Sequence, residues 1–297
     1  MQSDEIRISV RDLVKTFGSQ TVLTGVNLDI RAGETVVIMG GSGCGKTTLL
    51  RLLIGSHTPT SGSISLLGRD ISTLDAQQSD ALKRQFGILF QSGALFQSMT
   101  IGENVALPLQ EHTDLAPEII DIQVKMKLEL VGLRPHANKL PSQISGGMMK
   151  RAGLARAMAM DPKILFYDEP SAGLDPVTSA EIDQLILELT RSFGVTSVVV
   201  THEMDSAFTI ADRMVMLDGG RVLKVDTREA FDRIRKLSEA DAALLSEDEQ
   251  IVYQFLRGAA NGPITRRRSA DDYREDLLGI DSQGNDLASQ RASAARF

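Results

Sequence analysis

The sequence lacks several things, and each absence narrows what the chain can do. It holds one cysteine, Cys44, so no internal disulfide framework is available. No run approaches the roughly 18 consecutive apolar residues that read as a membrane-spanning helix, so the chain itself is not expected to cross a bilayer. The first residues, Met1-Gln2-Ser3-Asp4-Glu5-Ile6-Arg7, do not show the charged-then-apolar pattern of a secretory leader, and a cytoplasmic location is the expectation. Basic charge is not in surplus either: 32 Lys and Arg stand against 39 Asp and Glu, and the net charge of −7 argues against a general nucleic-acid binder. The remaining composition is that of a soluble globular protein. At 297 residues the chain can bury a sizeable core, as one large α/β domain with appendages or as two small domains.

What is there is organised around Gly40-Gly41-Ser42-Gly43-Cys44-Gly45-Lys46-Thr47, which reads G-x-x-x-x-G-K-[ST] between a predicted strand and a predicted helix. Thr35 to Met39 is β-branched and apolar, as a strand buried on both faces should be. Leu49, Leu50, Leu52, Leu53 and Ile54 supply an apolar helical face after Thr47 and Thr48 in the first turn. The glycines let the backbone curl so that successive N–H groups point at phosphate oxygens. The helix start adds positive potential, Lys46 is expected to reach the β- and γ-phosphates, and the Thr47 hydroxyl to ligate Mg²⁺. The predicted nucleotide-binding set is Gly40, Gly41, Ser42, Gly43, Cys44, Gly45, Lys46, Thr47 and Thr48, with a nucleotide and Mg²⁺ as the ligands. Cys44 reads as a small space-filling residue whose thiol pKa the cradle's positive potential should lower.

Ahead of this loop, Ile6 to Phe17 and Val22 to Ile30 read as a hairpin turning at Gly18 and Ser19. Phe17 taken alone reads as strand packing. Behind the loop, Ser63 to Leu67 and Phe86 to Phe90 read as strands, the second ending at Gln91. Ala106 to Arg134 has a helical pattern, with Ile119, Ile120, Val124, Met126, Leu128, Leu130 and Val131 expected in the core. A helix is expected from about Met149 to Met160. Ile164 to Tyr167 is a strand running into Asp168 and Glu169, where one carboxylate can hold Mg²⁺ through its water shell and the other can polarise an attacking water. Val177 to Phe193 should be an amphipathic helix with Ile182, Leu185, Ile186, Leu189 and Phe193 on its buried face, stopped by Gly194. Val198 to Val200 ends at Thr201-His202-Glu203, which puts His202 on the carboxyl edge with Asp168 and the phosphate loop, as a candidate γ-phosphate contact. Strands alternating with helices predict a mostly parallel sheet covered on both faces. From about Glu229 the chain reads as helical through Leu256, with Val252, Phe255 and Leu256 as docking residues. It then passes through the basic Arg266-Arg267-Arg268 and the acidic stretch from Asp271 to Asp276 into a tail, 281–297, expected to be disordered.

The ordered set of Gly40 to Thr47, Gln91, Ser145-Gly146-Gly147, Asp168-Glu169, Asp175 and His202 resembles the ATP-binding subunit of ABC transporters, over roughly residues 6 to 236. The resemblance implies an α/β fold: a RecA-like parallel-sheet core with an N-terminal antiparallel β subdomain, an inserted α-helical subdomain at about 92–160, and an ATP-binding domain over 1–240. Residues 241–297 would form a C-terminal extension. By the same resemblance Phe17 stacks on adenine, and Gln91 senses Mg²⁺ and the membrane partner. Ser145, Gly146 and Gly147 bind the γ-phosphate of ATP held by the opposite subunit, and Asp175 links the two sites. The catalytic set so implied is Glu169, His202 and Gln91, the metal set Thr47, Gln91 and Asp168. Where the family carries Leu-Ser-Gly-Gly-Gln, this chain has Ile144-Ser145-Gly146-Gly147-Met148, which keeps the groups that face phosphate and loses any hydrogen bond from the glutamine.

Three further stretches resemble the ATPases of Mla-type and Mce-associated lipid transport systems: Phe90 to Phe96, Ser145 to Met160, and Gln254 to Gly258 followed by Gly262-Pro263. That resemblance implies a homodimer on the cytoplasmic face of the inner membrane, bound peripherally to two permease subunits and an MCE-domain protein that carries phospholipid. A small regulatory subunit is a further partner it leaves open, and residues 250–280 would reach the neighbouring ATPase. Two alternatives are an importer ATPase paired with a solute-binding protein, and a soluble ABC protein acting on ribosomes or DNA ends. Against the second stand one nucleotide domain, no long heptad insertion and acidic net charge.

Overall fold

The computed structural model describes residues 5–259 and 262–265. The chain divides into two compact units, Met1–Leu237 and Ser238–Phe297. The first unit opens with a long hairpin, β1 (Ile6–Phe17) and β2 (Gln20–Arg31), whose inward positions Ile8, Val10, Leu13, Leu23, Val26 and Leu28 are buried. Next come β3 (Thr35–Met39), buried at every position, and α1 (Lys46–Leu53), then β4 (Ser61–Leu66), β5 (Arg69–Asp70), α2 (Ala76–Lys83) and β6 (Phe86–Leu89). Three helices follow, α3 (Ile101–His112), α4 (Pro117–Leu130) and α5 (Gly146–Ala157). The unit closes with β7 (Ile164–Asp168), α6 (Pro176–Phe193), β8 (Thr196–Val200), α7 (Met204–Ile210), β9 (Arg213–Asp218), β10 (Arg221–Thr227) and α8 (Arg228–Arg235).

Two sheets form. The first is antiparallel, ordered β2-β1-β4-β5; the second is ordered β10-β9-β3-β8-β7-β6 and is parallel except where β10 pairs with β9. Val36, Val37, Ile38 and Val198, Val199, Val200 sit side by side in β3 and β8, fully buried, so β-branched chains fill the centre of the parallel sheet. One continuous core joins the sheets through α1: Leu49, Leu52 and Leu53 pack with Ile8, Leu13 and Leu28 of the hairpin and with Ile38, Phe166 and Val200 of the parallel strands. Registering Ile38 with Val200 and Val200 with Asp168 brings the carboxyl ends of β3, β8 and β7 to one edge. That edge is where ligands bind in open α/β sheets.

The single helical stretch expected over 106–134 is two helices. Thr100 and Glu103 form a reciprocal capping box that starts α3 before Ala106, and Thr113 donates its hydroxyl to the Leu109 carbonyl at 2.6 Å as that helix ends. Pro117, at the first turn of α4, restarts it. Of the seven residues expected in the core here, Ile120, Val124, Leu128 and Val131 are buried, whereas Ile119, Met126 and Leu130 lie on the outward face. The helix expected from Met149 begins at Gly146, because the Ser145 hydroxyl accepts from the Met148 N–H and caps it. Phe193, expected on the buried face of α6, is 55% exposed, and Leu185 is only partly covered. Asp183 and Thr190 take the buried positions instead. Both are paired: Ser206 donates its hydroxyl to Asp183, and Thr190 shares hydrogen bonds with Ser197 at 2.8 Å and Thr35 at 3.1 Å.

In the second unit, α9 (Glu239–Ala242) and α10 (Glu247–Arg257) replace the remainder of the continuous helix expected through Leu256. The breaks fall at Ser238 and Ser246, whose hydroxyls cap the next helix in each case. Val252 and Leu256 are buried and Phe255 is partly covered. Gln254, buried, accepts from the Ile264 N–H at 2.7 Å and donates to the Ala259 carbonyl at 3.1 Å, holding residues 259 and 264 against α10. The basic triplet 266–268, the acidic stretch 271–276 and the tail 281–297 lie outside the described residues.

Candidate active site

Phosphate-loop geometry follows from its glycines. At Gly40 (φ 153°) a Cβ would lie 2.1 Å from the Leu217 carbonyl oxygen, and at Gly45 the φ of 108° strains any residue with a Cβ, which would also crowd Leu23 Cδ2 at 2.7 Å. The loop is held from outside as well: the Gly220 N–H donates to the Cys44 carbonyl at 3.2 Å, and the Thr24 N–H donates to Gly220 at 2.8 Å. Inside it, the buried Lys46 ammonium donates to the carbonyls of Gly40 at 2.7 Å and Gly41 at 3.0 Å. The lysine thus spans the mouth of the cradle that its own loop encloses, and Thr47, at the start of α1, keeps an exposed side chain. Thr48 follows it in the first turn and is half-buried.

Cys44 corrects one expectation. Its thiol is 6% exposed, and burial pushes its pKa up, outweighing the Lys46 ammonium 3.9 Å away. The loop's positive potential therefore does not produce a reactive thiolate, because desolvation of the charged form is the larger effect.

Asp168 ends β7, half-buried, and Glu169 follows it. Burial and the adjacent Glu169 hold the Asp168 carboxyl above its ordinary range, with Arg51, Lys150 and Lys46 pulling the other way. Glu169 has φ 50°, a left-handed conformation that costs a residue with a Cβ about 1 kcal/mol. The turn carries its carboxylate to His202, whose Nδ1 lies 2.9 Å from Oε2, while the His202 N–H donates to the same oxygen at 3.4 Å. The Glu169 N–H in turn donates to the Val200 carbonyl at 2.9 Å, tying the ends of β7 and β8 together. His202 is a surface group with its imidazole mostly exposed, as its expected place on the carboxyl edge requires.

Ser145, Gly146 and Gly147 gather elsewhere, with Asp175. Gly147 packs so closely on α6 that a Cβ would come 2.3 Å from Thr178 Cγ2, and a Cβ on Gly146 would touch Leu174 at 3.8 Å. The exposed Asp175 carboxylate caps α6 by accepting from the N–H groups of Val177 at 3.0 Å and Thr178 at 3.1 Å; the Thr178 hydroxyl bond lowers its pKa most. Among the described residues no hydrogen bond joins Ser145, Gly146 or Gly147 to the phosphate loop of the same chain. Gln91 is exposed at the end of β6, on a loop anchored by Arg156, which donates to the carbonyls of Gly93 at 3.1 Å and Ala94 at 2.6 Å.

Phe17 is 43% exposed, which removes the reading of it as strand packing. Its ring meets His57 edge-on at 5.5 Å, and the Lys15 ammonium lies 4.7 Å from its centroid. Two residues of the site escaped the sequence reading. Arg156 and Lys150 both lie on α5 among residues taken as an ordinary helix, and both are bonded to loop carbonyls far away in sequence.

Residues 23–172 match the family model described as ABC transporter. The chain is 39% identical over 271 residues to the intermembrane phospholipid transport system ATP-binding protein MlaF of Escherichia coli K12, covering 91% of this chain and 96% of that protein. It is 42% identical over 267 residues to the probable ribonucleotide transport ATP-binding protein mkl of Mycobacterium leprae, covering 90% of this chain and 73% of the relative. Among solved structures it is similar to a dimeric ATP-binding cassette in a post-hydrolysis state bound to ADP and Pi, with TM-score 0.69 and 32% identity over 74% of this chain and 98% of that one. A second is cbiO1 of Clostridium perfringens, part of the ABC transporter complex cbiONQ, with TM-score 0.71 and 27% identity over 81% of this chain and 99% of that one. A phosphate cradle, a carboxylate–histidine pair on the same sheet edge and this family match lead to one conclusion: the chain belongs to the ABC transporter family, as an ATP-hydrolysing subunit.

Proposed function

We propose that this subunit powers the movement of phospholipid between membranes. It would work as a homodimer on the cytoplasmic face of the inner membrane, peripherally bound to permease subunits and, through them, to an MCE-domain lipid carrier. The observation that carries this reading is the match to the phospholipid transport protein MlaF, which runs through nearly the whole of both chains. A dimeric cassette among the similar structures supports two copies acting together. No described helix is long and apolar enough to cross a membrane, so a membrane partner would supply the spans.

In this reading the loop Gly40 to Thr48 cradles the phosphates of ATP, Lys46 exchanges its two carbonyl partners for phosphate oxygens, and Phe17 stacks on the adenine. Glu169 accepts a hydrogen bond from the attacking water and orients it in line with the γ-phosphorus, while His202 holds the Glu169 carboxylate from its other side. Ser145, Gly146 and Gly147, apart from their own phosphate loop, serve the ATP held by the second copy, and Asp175 links the two sites. The Thr47 hydroxyl, the Asp168 carboxylate and the Gln91 amide oxygen would supply the oxygen donors that Mg²⁺ prefers. Mg²⁺ bound there would offset charge on the transferred phosphoryl.

The test is affinity purification of the subunit from detergent-solubilised membranes, followed by mass spectrometry of proteins and lipids. Co-purification of a polytopic permease, an MCE-domain protein and phospholipid is the expected result. A permease with a solute-binding protein, or soluble partners only, would overturn it.

A further inference from the structure

Helix α5 touches three other parts of the site. Its first turn packs on α6 behind Asp175, through Gly147 and Thr178. Two residues on, it meets the Gln91 loop, where a Cβ on Gly93 would come 3.0 Å from the Met149 carbonyl oxygen. Next to the second contact Lys150 points inward, 5% exposed, and its Nζ donates to the backbone carbonyl of Glu169 at 2.9 Å. Burial holds the Lys150 ammonium below the usual lysine range, and the negative charges of Glu169, Glu203 and Asp168 oppose that effect only in part.

A buried ammonium is costly unless it is paired, and an apolar side chain of similar length would fill the same space. What Lys150 supplies beyond packing is a donor to one carbonyl. That carbonyl belongs to the residue whose φ of 50° turns its side chain toward His202. Relaxation of the turn would swing the Glu169 carboxylate away from the imidazole.

We propose that Lys150 is a positioning residue for hydrolysis: by donating to the Glu169 carbonyl it keeps that residue in its left-handed turn and ties it to α5. This inference rests on the roles proposed above for Glu169 and Ser145. Ser145 and Lys150 are separated by about 7.5 Å of one helix. A shift at Ser145, Gly146 and Gly147 when the second copy closes on its ATP is therefore delivered, through a rigid element, to the carboxylate of the first copy. Each active site so registers whether the other is filled.

The experiment uses the full chain purified with its co-purifying membrane partners. It compares ATP affinity, KM, kcat and the Hill coefficient for wild type, Lys150→Met, Lys150→Gln and Lys150→Arg. Lys150→Met should lower kcat by about tenfold or more and bring the Hill coefficient toward one, with KM and ATP affinity little changed; Lys150→Arg, which keeps donors, should recover most of the rate. If Lys150→Met does not fold, Lys150→Gln carries the test through a cycle with Glu169→Gln measured in single turnovers. A role exerted through Glu169 predicts that Lys150→Gln has no further effect in the Glu169→Gln background. An unchanged kcat in Lys150→Met, a parallel loss of affinity and rate, or additive effects in the cycle would each overturn the proposal. Full hydrolysis by Glu169→Gln alone would instead remove the role assigned to Glu169 on which it rests.

Discussion

Glu169 and His202 meet twice: the imidazole Nδ1 stands 2.9 Å from Oε2, and the backbone N–H of His202 points at the same oxygen from 3.4 Å. A neutral imidazole with its proton on Nδ1 would donate to the carboxylate and keep Nε2 as an acceptor. Removing the acid while keeping its shape should separate binding from chemistry. Glu169→Gln is expected to lower kcat by about 10²- to 10⁴-fold, the range of a general base, and to accumulate ATP-bound dimers visible by gel filtration. His202→Ala should lower kcat as well, with ATP affinity less affected. Glu169→Gln at full rate would remove the assigned role.

Asp168 makes the stability of the nucleotide-free protein depend on pH. Its carboxyl is held above the ordinary range, first by burial and then by Glu169, so folding favours the protonated form. Stability from this group is complete below the ordinary carboxylate value, about 3.9, and is lost as pH rises through the raised one. Ionised Asp168 therefore places a half-buried charge beside Glu169 in the nucleotide-free protein, which Asp168→Asn removes. The variant should melt a few degrees higher than wild type at neutral pH, lose that advantage in acid, and hydrolyse ATP poorly. A lower melting temperature at neutral pH would contradict this balance.

Cys44 should behave as a buried thiol. Maleimide labelling of the folded protein is expected to be at least about tenfold slower than of the unfolded chain and to quicken as pH rises, with little change on adding ATP. Labelling at the rate of a free thiol would show that the phosphate loop opens far more often than its hydrogen bonds to Gly220 and Lys46 imply.

The parts of this molecule most legible in sequence are those whose chemistry demands contiguous residues. A backbone that must curl around phosphate needs glycine where Leu217 and Leu23 leave no room for a Cβ, and that need writes itself into eight consecutive positions. Strands β3, β7 and β8 were equally plain, since a strand buried on both faces has few residues to choose from. Periodicity failed where distant partners decide. Asp183 and Thr190 belong to the buried face of α6 only because Ser206, Ser197 and Thr35 meet them, and Phe193 is left outside in consequence. Lys150 was invisible for the same reason: a lysine in a helix reads as a solvated charge until the carbonyl it serves is brought to it.

Strand β3 has β8 on one side and β9 on the other, and the loop at its end is stapled by Gly220. All three come from the last part of the first unit. As the chain emerges from the ribosome, the strand that carries the phosphate loop waits without a sheet neighbour until residues 196–218 have appeared, and the loop waits for its clasp until residue 220. Nucleotide can stabilise this protein only late in its synthesis, and the long interval of unpaired strand edge is where a chaperone would find it.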